Sequence, residues 1–141
     1  MIVTVYRGLW FRLYLGKIWN LPNTLIGLAW GAIGLPFGAR VSIENNAIQF
    51  TGHRLMIPNR AIALGNTVTY GTQASPADVG IDANLMREHE RQHTIQGEQL
   101  GPLYLLSNLV GGLAGLIVNR NWYGQANWNE RGPQKHPPRP W

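Results

Sequence analysis

The apolar positions change period twice along the chain. Over residues 1–20, Tyr6, Leu9, Trp10, Leu13, Tyr14 and Ile18 recur at helical spacing, with Arg7, Arg12 and Lys17 between them. That predicts an aromatic-rich amphipathic helix, either packed on the domain or lying in a membrane interface. Residues 21–39 carry no charge, and Asn23 or Thr24 is placed to cap a helix ending near Gly34–Pro36. Its uninterrupted apolar part is about 12 to 15 residues, short of the roughly 20 that span a bilayer. Gly27, Gly31 and Gly34 thin one face and admit a close neighbour. Residues 103–118 form a second uncharged, Gly-rich stretch of similar length. The short length favours 24–35 and 103–118 as buried core or interface helices, with lipid contact as the alternative. They are expected to pack near each other and make up most of the core.

Between them the period shortens. Residues 40–73 show alternating or β-branched runs split by Asn-Asn, Pro-Asn and Gly-Asn, which predicts short strands in a meander. Ser75-Pro76 with Asp78 resembles a helix start, and the composition from about Asp82 to Leu100 suits a helix ended by Gly101–Pro102. Gly97 inside that helix weakens it. The expected fold is therefore α+β, a small antiparallel β meander with several helices. Residues 1–130 form one domain that includes the N-terminal helix. Residues 131–141 form a basic, Pro-rich tail, extended or disordered.

A chain of 141 residues fits one domain able to stand without covalent staples. It contains no cysteine, so disulfides and thiolate metal sites are excluded and any metal must be held by histidine and carboxylate. Charged residues make up 13% of the chain and the net charge is +5, spread thinly and partly in the two ends. No dense basic stripe is present, so a nucleic-acid partner is not expected. Basic ends beside apolar segments suit an anionic membrane surface. Arg7, Arg12 and Lys17 interrupt what would be the apolar core of a secretory signal. A cytoplasmic or membrane-associated location follows as the expectation.

Against that background one motif stands out. Residues 89–93 read His-Glu-Arg-Gln-His, an H-E-x-x-H on the predicted helix, and use two of only four histidines. Positions i and i+4 lie one turn apart on one face, so both imidazoles can reach one cation. Zinc takes neutral imidazole and keeps a position open for water in catalytic sites. Glu90 then stands beside that open position as general base. The same five-residue pattern also occurs by accident on solvated helix faces. For a third ligand, Glu98 lies five positions beyond His93, about 140° round the helix. His136 lies in the Pro-rich tail. Glu130 follows an aromatic-rich stretch after a second helix and is favoured, with the other two behind it. Tyr104, Tyr123 and His53 are candidate donors to an oxyanion, though each equally suits ordinary packing. The segment AIALGNTVTYG offers an edge for an extended peptide.

Residues 87–109, REHERQHTIQGEQLGPLYLLSNL, resemble a small bacterial family of zincin-like, gluzincin-type metallopeptidases. LPNTLIGL at 21–28, AIALGN at 61–66 and Asn127–Glu130 extend the similarity over roughly residues 20 to 131. The resemblance implies a minimal zincin-like fold with H-E-x-x-H on a central helix. It also implies Zn2+ held by His89, His93 and Glu130, with Glu90 as catalytic base. Arg131-Gly132-Pro133 are poor helix formers, so Glu130 falls near the end of any helix that carries it. The expected function is hydrolysis of a peptide or protein substrate by a zinc metallopeptidase. The alternative is a non-catalytic zinc-bearing structural or interaction protein, membrane-associated or a subunit of an assembly.

Overall fold

Two polar turn signals in the middle of the chain each fold a hairpin. The computed structural model describes residues 14–141. Asn45 and Asn46 both take positive φ, 53° and 68°, the backbone that a tight two-residue hairpin loop requires. They join β1 (Arg40–Glu44) to β2 (Ala47–His53) antiparallel. Gly65, at φ 65°, turns β3 (Ala61–Leu64) antiparallel onto β4 (Thr67–Gly71).

The hairpins do not continue as an antiparallel meander. β2 pairs with β4 in parallel, Ile48 opposite Thr67, so the strand order is β1-β2-β4-β3 and the sheet is mixed. The difference has a physical cause. β4 is buried at all five positions and β-branched at three, which suits a central strand. β3 keeps Ile62 exposed and takes the edge. Residues 54–60 carry the chain from β2 to that edge. A short-range pattern of turns predicts each hairpin but not how two hairpins meet.

Among the described residues four helices complete an α+β fold: α1 (Leu21–Ile33), α2 (Met86–Leu100), α3 (Tyr104–Asn119) and the short α4 (Trp128–Arg131). Most of the aromatic helix expected over 1–20 lies outside the described residues; 14–19 are helical and run into α1 through Asn20. α1 begins with Pro22 in its first turn, so Asn23 and Thr24 are not caps but buried contacts inside the helix. α2 starts at Met86, later than the composition suggests, and Ser75–Asp78 forms a separate turn closed by Asp78 Oδ2 on the Ser75 N–H at 2.7 Å.

The core is not where hydrophobicity alone assigns it. Its apolar cluster is small: Ala47, Ala63, Val68 and Tyr70, with Ala61, Ala74 and Met86 against them. The inward faces of α1 and α3 are glycine and polar residues. Gly27, Gly31, Asn23 and Thr24 are buried on α1, and Gly111, Gly112, Gly115 and Tyr104 on α3. Leu25, Ile26, Leu106 and Leu113 point outward. The expectation that the two apolar stretches form most of the core is therefore corrected. Close backbone approach, which only small residues permit, decided which face turned inward. A Cβ on Gly97 would sit 2.6 Å from the Asn20 amide, which is why this helix carries a residue that weakens it.

Buried polar groups tie these pieces together. Glu98 Oε1 accepts hydrogen bonds from Lys17 Nζ at 2.8 Å, Asn46 Nδ2 at 3.0 Å and Asn66 Nδ2 at 2.6 Å. One carboxylate thus joins α2 to the helical turn before α1 and to both hairpin loops. That occupation takes Glu98 out of contention as a metal ligand. Glu98→Ala should lower unfolding free energy by roughly 2–4 kcal/mol, because it strands three donors, two of them largely out of water. Urea unfolding followed by circular dichroism measures this, and zinc content should be unchanged. The tail also differs from an extended or disordered segment. Gly132 and Pro133 are buried, Asn84 Nδ2 donates to the carbonyls of Pro133 (3.0 Å) and Lys135 (3.1 Å), and Gln96 Nε2 donates to Pro140 O.

Candidate metal centre

α2 carries residues 89–93, and its i,i+4 spacing sets His89 and His93 on one face with their Nε2 atoms 3.2 Å apart. α4 brings the third group. Asn127 caps α4, its side chain accepting from the Asn129 N–H at 3.1 Å, so Glu130 sits within one turn of a fixed start. α3 holds that start in place. A Cβ on Gly111 would lie 2.5 Å from Asn127 Oδ1, so the glycine lets α3 press directly on the cap. Asn129 Nδ2 donates to Ser107 O at 2.8 Å, a second link between α3 and α4. Glu130 Oε2 then lies 3.4 Å from His89 Nε2, and Oε1 lies 3.5 Å from His93 Nε2.

These separations bear on what the trio can hold. A tetrahedral zinc with ligands at about 2.0–2.1 Å needs donor atoms about 3.3 Å apart. The imidazole pair meets that spacing at 3.2 Å, while the 3.4 and 3.5 Å contacts run to different Glu130 oxygens, and one ligand atom from each of the three residues lies within 4.8 Å of the others. Two imidazoles and a carboxylate are also the donor types zinc takes in catalytic sites. His89, His93 and Glu130 are the group of metal-ligating side chains that comes together among the described residues. Glu98 is held in the network described above, and His136 is exposed in the tail.

The far nitrogen of each imidazole is fixed. His89 Nδ1–H donates to Asp82 Oδ2 at 2.8 Å, and His93 Nδ1–H donates to Gln96 Oε1 at 2.9 Å. Both Nε2 atoms are thereby turned toward Glu130, the second-layer arrangement that orients metal-binding histidines. Asp82 is itself anchored by Asn84, through N at 3.2 Å and Nδ2 at 3.0 Å. Gln96 Nε2 donates to Asn129 O at 2.7 Å, linking His93 to the backbone beside Glu130. Asp82→Asn should weaken zinc binding about 10- to 100-fold while leaving one site per chain. Competition with a chromophoric chelator measures it; an unchanged affinity would show that Asp82 does not orient His89.

Charges in the site are strongly coupled. Burial works against a charged Glu130, but hydrogen bonds from His89 and His93 outweigh it and hold the carboxyl well below its ordinary range. Burial likewise opposes a charged His89. The Glu130 hydrogen bond, the charges of Glu90 and Glu130, and the Asp82 hydrogen bond overcome it and push His89 up to about 9. Burial raises Glu90, with the two imidazoles pulling the other way.

Glu90 faces a cleft of about 620 Å³ between β3 and α3, which also reaches His89, His93 and Glu130. Its walls include Ile62, Leu64, Leu105 and Leu109, with Tyr104 and Tyr123 among the polar groups. His53 lies elsewhere. It is stacked on Trp30 at 4.7 Å, its Nε2 bonded to Trp30 O at 3.0 Å, so it serves α1–β2 packing. Sequence reasoning missed Asp82, Gln96 and Arg60. Gln96 stands i+3 from His93, a spacing that could have shown it. Asp82 reaches His89 through a loop, for which no spacing rule exists. Arg60 lines the cleft beside Tyr123, its guanidinium 5.6 Å from the ring centroid. No protein-family model, curated protein or solved structure matches the chain.

Proposed function

We propose that this chain is a zinc metallopeptidase of the zincin-like, gluzincin type, with His89, His93 and Glu130 holding one Zn2+ and Glu90 as general base. The observation that carries the reading is the convergence of two imidazole nitrogens and the Glu130 carboxylate on the wall of a cleft that also contains Glu90. Bound there, zinc would polarise the scissile carbonyl and make a water acidic enough to act near neutral pH.

The protein's own groups supply the rest. Asp82 and Gln96 hold the imidazoles in the tautomer that presents Nε2. Glu90 takes the proton from the attacking water and returns it to the leaving amine, and its burial-raised pKa suits both halves of that task. Tyr104 and Tyr123 reach the cleft as phenol donors for the carbonyl oxygen. The aliphatic walls bind apolar side chains of a peptide and exclude water from the reacting centre.

The test compares zinc-loaded and metal-free protein on a mixed peptide library read by mass spectrometry. New peptide ends should form with the zinc-loaded chain alone. Bound zinc with no cleavage would move the reading to a non-catalytic zinc-bearing structural or interaction protein.

A further inference from the structure

The outward faces of α1 and α3 are inverted relative to a water-facing helix. Every exposed residue of α1 is Leu, Ile, Ala or Pro, and every exposed residue of α3 before Asn119 is Leu, Val or Ile. Leu25 is 56% exposed, Leu106 57% and Ile117 81%. Meanwhile Asn20, Gln96, Asn127 and Asn129 are fully buried. The most apolar 18-residue window between Met86 and Asn119 has only 28% of its residues inside the protein. Apolar outside and polar or glycine inside is the pattern of helices whose outer solvent is lipid. An apolar surface of this extent in water marks an interaction site.

The surrounding charges indicate which partner. A protein interface carries polar and arginine positions at its rim and among its contacts. Neither helix exposes a polar or charged residue on this face before Asn119. The charges at their ends differ: Lys17 and Glu98, which open the uncharged runs 18–39 and 99–119, pair with each other at 2.8 Å, while the cations Arg40 and Arg120 close them. Net charge is +5. Cations closing an apolar face suit anionic headgroups above acyl chains. Length argues for insertion into one leaflet rather than crossing. With the helical residues that lead into α1, the uncharged helical run 18–33 is 16 residues, as is α3, so each is about 24 Å long against a hydrocarbon core of about 30 Å. Gly101, at φ 55°, breaks α2 from α3, so the two do not form one straight span.

We infer that α1 and α3 embed their outward faces in one leaflet of an anionic lipid bilayer. Leu105 and Leu109 of α3 continue into the cleft that holds His89, Glu90 and His93, so the cleft opens at the membrane surface. If the peptidase reading holds, its substrates are polypeptide segments lying in or on the bilayer; the insertion itself does not depend on that reading.

The experiment floats the full chain, with and without zinc, on phosphatidylcholine vesicles and on mixed phosphatidylcholine–phosphatidylglycerol vesicles. The wild type should rise with the anionic vesicles and bind the neutral ones more weakly. His93→Ala should float as the wild type does, so failure of the metal site and failure of the membrane surface give different results. The triple variant Leu106→Gln/Leu113→Gln/Ile117→Gln should lose at least about tenfold in vesicle affinity, with unchanged circular dichroism and zinc content. Val41→Thr/Ile43→Thr, on β1 at the opposite edge of the sheet from β3, should bind like the wild type. Because the chain has no cysteine, Leu113→Cys and Ile43→Cys can each carry one environment-sensitive dye. The dye at 113 should shift to the blue on anionic vesicles and the dye at 43 should not. A wild type that stays with neither vesicle overturns the inference, as does equal loss from the β1 variant. A stable dimer split by the α3 substitutions would overturn it in favour of a second copy of the chain.

Discussion

His93→Ala should reduce zinc affinity on the order of a thousandfold and leave the purified chain essentially metal-free. The wild type should take up one zinc per chain. Two imidazoles 3.2 Å apart and a carboxylate with one oxygen 3.4 Å from His89 and the other 3.5 Å from His93 converge on room for one cation, and removing His93 deletes two of those three contacts. The remaining His89 and Glu130 form too few ligands for a tetrahedral site. Melting temperature gives an independent reading. Zinc at about a hundred times its dissociation constant adds roughly 2.7 kcal/mol to the wild type, or about 5–10 °C for a chain of this size. The variant should show no such rise. His136→Ala, in the exposed tail, should behave as wild type. Dependence on pH has a definite sign. His89, pushed up to about 9, holds a proton at neutral pH in the metal-free chain, and zinc must displace it. Affinity should therefore rise by about tenfold per pH unit for each proton displaced, flattening as the pH passes 9. Full zinc content in His93→Ala, or an affinity indifferent to pH, would show that this trio is not the site.

How the parts of this site became visible in the sequence differs from part to part. His89 and His93 are legible because helical spacing is local: four positions place them on one face whatever the rest of the fold does. Glu130 is reached only through position in the chain, and what sets it beside the imidazoles is the packing of α3 on α4 through Gly111. The hairpins at Asn45–Asn46 and Gly65 are legible because positive φ selects the residue type. Parallel pairing of β2 with β4 is not, because it joins residues that no turn connects. Asp82 is silent for the same reason, since its link to His89 passes through an irregular loop. The apolar stretches misled in an instructive way. Hydrophobicity predicts that a segment avoids water, and it does not say whether protein or lipid takes the water's place. The glycines carried the missing information, since Gly27, Gly31, Gly111 and Gly115 mark the inward faces.

Glu90→Gln should keep the zinc and the fold while peptide cleavage falls about a hundred- to ten-thousand-fold. Glu90 is not among the three donor groups, so its replacement leaves His89, His93 and Glu130 in place. Gln has nearly the same shape, and Glu90 is 8% exposed, so the cleft wall is preserved. Stability should change little, because Glu90 is a buried carboxylate whose charged form is already disfavoured by burial. What disappears is the proton acceptor. An amide oxygen at position 90 can still orient the attacking water, but it cannot take its proton or pass one to the departing amine, so both transfers lose their relay at once. The measurements are zinc content, melting temperature and cleavage of the mixed peptide library for wild type and variant side by side. Equal zinc and equal melting with collapsed cleavage assign Glu90 as the base. Equal cleavage would remove it from the chemistry. A variant that loses zinc along with activity would instead make Glu90 part of what holds the metal, contrary to the arrangement of the three donors.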